Sequence, residues 1–110
     1  MTMKNRIIDN DEGVVLSNGI RVWTYHDQDC CENVYADWEA LDDTTFVDET
    51  FTDVVIEKVP DSGFRINGYF VPCYNQQNGY YSDQLTLIIK YPDGRKIEMD
   101  ITECNQDGIY

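Results

Sequence analysis

Gln84-Leu85-Thr86-Leu87-Ile88-Ile89-Lys90-Tyr91, then Pro92-Asp93-Gly94, then Lys96-Ile97-Glu98-Met99-Asp100-Ile101-Thr102: this stretch decides the fold. Its centre is a turn with a mechanism. Proline presets φ, the aspartate side chain bonds back to its own backbone, and glycine takes the left-handed position. On either side the apolar residues recur with the period of two that belongs to a strand. Leu85, Leu87 and Ile89 share one face, and so do Ile97, Met99 and Ile101, while Lys96, Glu98 and Asp100 read as solvent-facing. The stretch therefore predicts an antiparallel hairpin.

The same grammar extends outward. Residues 13–16 and 20–26 flank Ser17-Asn18-Gly19, a second hairpin signal, because Asn and Gly tolerate positive φ. In the second arm Ile20, Val22 and Thr24 face one way and Arg21, Trp23 and Tyr25 the other. Residues 33–38 read as a third strand, and a short helix or turn is expected around 37–41. The acidic stretch 39–50 has no period. Residues 51–59 read as a strand stopped by Pro60-Asp61-Ser62-Gly63. Residues 64–74 read as one further strand, with Gly68 and Pro72 marking a bulge or an edge. The tail from Glu103 is polar and is expected to fray. Six or seven short strands with almost no helical period predict an all-β or β-dominated α+β domain. An antiparallel sheet would form a small sandwich or a partly open barrel. The chain's 110 residues suit one domain, 1–110, with one modest core.

Charge is the strongest bulk property. Eight Lys and Arg stand against 21 Asp and Glu, for a net charge of −13 and a pI near 4.1. Such a surface repels a phosphate backbone and an anionic membrane face, so neither nucleic acid nor membrane is an expected direct partner. It suits plain solubility, a basic protein partner, or mimicry of nucleic acid. No signal-peptide core is visible near Met1 and no apolar run is long enough to span a bilayer, so the expected location is cytoplasmic. There Cys30, Cys31, Cys73 and Cys104 should be thiols.

The densest cluster of chemical groups is His26-Asp27-Gln28-Asp29-Cys30-Cys31-Glu32. It holds the only histidine, two of the four cysteines and three further carboxylates. Imidazole and thiolate are zinc ligands, which makes His26, Cys30 and Cys31 weak metal candidates, with Cys73 or Cys104 able to complete a shell. The spacing is poor: on an extended segment His26, Gln28, Cys30 and Glu32 share one side and Asp27, Asp29 and Cys31 the other. No C-x-x-C occurs. Asp9-Asn10-Asp11-Glu12-Gly13 lacks the phase of an EF-hand loop and reads as a solvated turn. A thiolate nucleophile would want positive charge nearby, and here the neighbours are acidic. No phosphate-binding, dinucleotide, serine-hydrolase or zinc-protease motif is present. A structural reading fits the motif well: one of Cys30 and Cys31 packs in the core while His26 and Asp29 tie the loop to backbone.

His26 to Glu32 followed by Val34, together with Asn78-Gly79-Tyr80-Tyr81-Ser82, resemble an uncharacterised family of small proteins from bacteriophages and gut bacteria. That family carries H-D-Q-D-C-C-E-x-V near its start and S-N-G-Y-Y-S near its end. The resemblance runs from about Leu16 to Leu87. The chain departs from it at Ala40-Leu41-Asp42-Asp43-Thr44-Thr45-Phe46, where similar proteins carry a D-L-x-D-L-I-G-like segment, and at Gln77, which stands for the first serine. The resemblance implies a phage or prophage setting and a shared site, and no reaction type. It suggests that the two motifs meet at one sheet rim, in a pocket built from His26, Asp27, Gln28, Asp29, Cys30, Cys31, Glu32, Asn78, Gly79, Tyr80, Tyr81 and Ser82. Three functions stay open: a non-enzymatic module binding a protein partner, a metal- or cysteine-dependent domain centred on His26-Cys30-Cys31, and an acidic nucleic-acid mimic that inhibits a basic host protein.

Overall fold

The computed structural model describes residues 7–9, 13–26, 33–41, 45–46, 53–76 and 84–108. Among these, ten short strands occur and no α-helix. They are β1 (Ile7–Asp9), β2 (Gly13–Leu16), β3 (Arg21–Tyr25), β4 (Asn33–Ala36), β5 (Ile56–Val59), β6 (Gly63–Ile66), β7 (Tyr69–Gln76), β8 (Thr86–Lys90), β9 (Lys96–Asp100) and β10 (Asn105–Gly108). The first sheet runs β1-β2-β3-β8-β9, antiparallel throughout. The second runs β10-β7-β6-β5, and β4 also pairs with β7. The sheets do not close into a barrel. The expected β-dominated, antiparallel class is what the chain adopts.

Both marked hairpins form as their turn residues dictate. Gly94 sits at φ +97°, its N–H donates to Tyr91 O, and Arg95 N–H donates to Asp93 Oδ1 at 2.9 Å. Gly19 sits at φ +94°, and Asn18 Oδ1 accepts from Ile20 N–H at 3.2 Å. Three expectations need correction. Residues 64–74 are not one strand: Asn67 (φ +49°) and Gly68 (φ +90°) turn the chain back as a two-residue hairpin between β6 and β7. Two successive positive φ values are what a type I′ turn needs, and Asn-Gly supplies them. The tail does not fray throughout, because β10 pairs in parallel with the second half of β7, Asn105 opposite Cys73. The strand expected from Phe51 begins at Ile56; residues 51–52 lie outside the described set.

One core lies between the two sheets. Val14, Leu16, Val22, Leu87 and Ile89 come from the first, and Phe64, Ile66, Val71 and Cys73 from the second. Trp38, in a 3-10 turn (Trp38–Ala40), joins them. Its indole N–H donates to Thr24 Oγ1 on β3 at 3.1 Å, and its ring meets Phe64 of β6 edge-on at 5.5 Å. The short helix or turn expected around 37–41 is this element. At the far end of the first sheet Tyr91 fastens the approach to β5. Its hydroxyl donates to Asp53 Oδ1 and accepts from Val54 N–H, and Arg95 stacks 4.2 Å above its ring. That hydroxyl holds the Asp53 carboxyl below the usual range. Burial first, and the Asp53 bond second, push the Tyr91 phenol up.

Candidate functional site

Three connections cross between the sheets, β3 to β4, β7 to β8 and β9 to β10, and the first two of them carry the motifs. Residues 27–32 leave β3 and enter β4; residues 77–83 leave β7 and enter β8. The strands they leave and enter are paired with one another. Tyr25 at the end of β3 lies opposite Thr86 at the start of β8. Asn33 at the start of β4 lies opposite Gln76 at the end of β7. The roots of both connections are thus adjacent at both ends, although their sequence positions differ by about fifty residues.

His26 ties the first root to the residues that lead into β8. Its Nδ1 lies 2.6 Å from the carbonyl oxygen of Gln84. A carbonyl can only accept, so Nδ1 carries the hydrogen and Nε2 the lone pair in the neutral ring. The next residue is held from the opposite side: Leu85 N–H donates to Thr102 Oγ1 at 3.1 Å, and Thr102 Oγ1 donates to Asp100 Oδ1 at 2.6 Å. The hydroxyl and backbone N–H of Thr102 hold the Asp100 carboxyl below its ordinary range. Gln84-Leu85 is therefore clamped between β3 and the end of β9. At the second root Tyr35 and Tyr74 stack across β4 and β7 with ring centroids 5.4 Å apart. Asn75 Oδ1 is buried there and accepts from no donor among the described residues.

Of the twelve pocket candidates, His26 is the one the structure describes. Asp27, Gln28, Asp29, Cys30, Cys31 and Glu32, with Asn78, Gly79, Tyr80, Tyr81 and Ser82, lie outside the described residues. Among the described residues no three His, Cys, Asp or Glu side chains gather as a metal-binding group. Cys73 and Cys104, offered above as completing ligands, are free thiols in the core and wholly buried. Burial pushes the Cys73 thiol up to about 12, with the neighbouring Cys104 adding to the shift; burial raises Cys104 too. A metal needs the thiolate, which this environment disfavours. A thiol reagent applied to the native protein should leave Cys73 and Cys104 unmodified, and denaturant should expose both. Peptide mapping checks this, and native-state labelling of Cys73 at the denatured rate would refute its placement.

Sequence reasoning missed the Leu85-Thr102-Asp100 clamp and the Tyr35–Tyr74 pair. The signal for the first was Asp-x-Thr at 100–102, a local side-chain turn; for the second there was none, since the pairing depends on register. Helices long and apolar enough to cross a membrane do not occur among the described residues. Comparison with protein-family models, with curated proteins and with solved structures gives no match. Fold and site together define the class: an open two-sheet β domain with two motif-bearing connections rooted side by side on a rigid rim.

Proposed function

We propose that this chain is a small non-enzymatic binding domain whose rim, with the connections 27–32 and 77–83, engages a protein partner rich in basic groups. One observation carries the reading: both connections are rooted on the same two strand pairs, Tyr25–Thr86 and Asn33–Gln76. Loops held on a rigid β scaffold are where binding residues concentrate. The net charge of −13 selects the polarity of the partner. A phage or prophage setting, which the resemblance implies, makes a host nucleic-acid-binding protein a fitting target in the cytoplasm.

The test is capture from host lysate on wild-type protein and on Asp27→Asn/Asp29→Asn/Glu32→Gln. Raising salt from about 0.1 M to 1 M shortens the screening length from ~10 Å to ~3 Å. The expected result is a basic protein held by the wild type at low salt, released at high salt and not retained by the variant. Equal capture by both proteins would remove the rim from the reading. A DNA duplex that displaces the partner would add the mimic function.

A second reading has one observation in its favour. A metal-binding histidine commonly donates its other ring N–H to a backbone carbonyl, as His26 Nδ1 does to Gln84. Elemental analysis of the purified protein decides it: stoichiometric zinc, with loss of stability on chelation, would replace the binding-module reading by a metal-dependent one.

A further inference from the structure

The register of the first sheet aligns charges that the sequence scatters. Arg21 of β3 lies opposite Lys90 of β8, and Lys90 lies opposite Lys96 of β9. Directly opposed residues on antiparallel strands project from the same face. The result is one row of three cations, about 5 Å apart from strand to strand, and all three are exposed. Three of the eight Lys and Arg in a chain of net charge −13 stand in this row. Like charges placed opposite one another cost stability. Local partners offset that only in part: Arg21 stacks 5.5 Å from the Trp23 ring, Lys96 lies 3.4 Å from Glu98 Oε1, and Lys90 has no ion-pair partner among the described residues.

The next row on this face reads Gly13, Trp23, Ile88 and Glu98 across β2, β3, β8 and β9. Trp23 lies opposite Ile88. Ile88 is the one buried apolar residue described that stands outside the core cluster, so it belongs to the outer face, behind which Val22, Leu87 and Ile89 fill the core. Tyr25, two residues beyond Trp23, is 56% exposed. The cationic row therefore runs beside Trp23, which is half-buried, with Tyr25 beyond it on the same strand. The cationic row lies at the end of β3 away from His26, and so away from the rim.

We propose that this outer face docks an acidic peptide segment of a partner protein, with carboxylates along Arg21, Lys90 and Lys96 and an apolar side chain against Trp23. Charge complementarity selects the occupant. A polynucleotide fits less well, because its phosphates would continue past a row only three cations long onto a chain of opposite character, with Glu98 in the adjacent row. A short acidic segment can end where the cations end. This inference does not depend on the rim reading.

The experiment selects binders to the immobilised protein from a displayed random-peptide library, then measures the selected peptides against variants. The expected result is peptides enriched in Asp and Glu beside an aromatic or aliphatic residue. Their affinity should fall at least about tenfold, equivalent to ~1.4 kcal/mol, in Arg21→Gln/Lys90→Gln/Lys96→Gln. Trp23→Ala should weaken the same peptides, while Arg21→Lys should retain them. Lys90→Gln alone leaves the Arg21–Trp23 and Lys96–Glu98 contacts in place; it should cost about threefold and guards against a folding defect in the triple variant. Peptides without acidic enrichment, or affinities unchanged in the triple variant, would overturn the proposal. So would stronger occupation of the row by a single-stranded oligonucleotide, by inorganic phosphate or by a second copy of the chain.

Discussion

Phe64→Ala is expected to destabilise the domain by about 3–5 kcal/mol, a large share of the ~5–15 kcal/mol that holds a domain of this kind together. Phe64 is fully buried and stands edge-on to Trp38, which in turn bonds to Thr24 on the opposite sheet. Removing the ring opens a cavity between the sheets and leaves Trp38 without its partner, and neither strand can collapse into the gap without losing its ladder. Denaturant unfolding checks this: the midpoint should fall with little change in slope. A loss below about 1 kcal/mol would mean that the sheets do not share this contact.

Gly63→Ala is expected to cost about 3 kcal/mol or more, by overpacking rather than by a cavity. A Cβ at Gly63 would stand 2.1 Å from the backbone oxygen of Val71 and 2.8 Å from Pro72 Cα. Those are backbone atoms at the end of the β6–β7 pairing, where Gly63 opposes Pro72, so no side-chain rotation relieves the clash. The Phe70 ring, 3.0 Å from the same point, covers the space that glycine leaves. Gly68→Ala is the control. Nothing lies within 4 Å of a Cβ there, and the cost comes only from its φ of +90°, about 1–2 kcal/mol. Thermal or chemical denaturation of the pair separates steric from conformational cost; equal losses would contradict the packing at Gly63.

The functional proposals use opposite ends of one sheet. The rim, at His26 and Gln84, roots connection 27–32, whose sequence holds three carboxylates, and connection 77–83, whose sequence holds one; the far end holds the aligned cations. A chain with both can hold a basic partner at one end and an acidic segment at the other. Variants at 27–32 should leave the cationic row intact and variants of the row should leave the rim intact, so the two binding experiments report independently.

What the sequence by itself determined is local. Ser17-Asn18-Gly19 and Pro92-Asp93-Gly94 turned where they should, because turn geometry is set by the φ preferences of a few adjacent residues. Alternation correctly put Leu87 and Ile89 on one face, and Val22 on the face away from Arg21 and Trp23, because successive strand residues must face opposite ways. Asn67-Gly68 carries an equally local signal, two residues that accept positive φ, and it forms a turn where a bulge or an edge position is expected. What only the tertiary structure decided is coverage and register. Ile97 alternates with Met99 and Ile101, yet it is 40% exposed, because β9 is an edge strand and the core does not reach its start. Alternation assigns a face; only the neighbours decide whether that face is covered. The parallel pairing of Asn105 with Cys73, the meeting of His26 with Gln84 across 58 residues, and the row of Arg21, Lys90 and Lys96 have no local signature, because pairing partners are chosen by packing of the whole sheet rather than by any period in the chain.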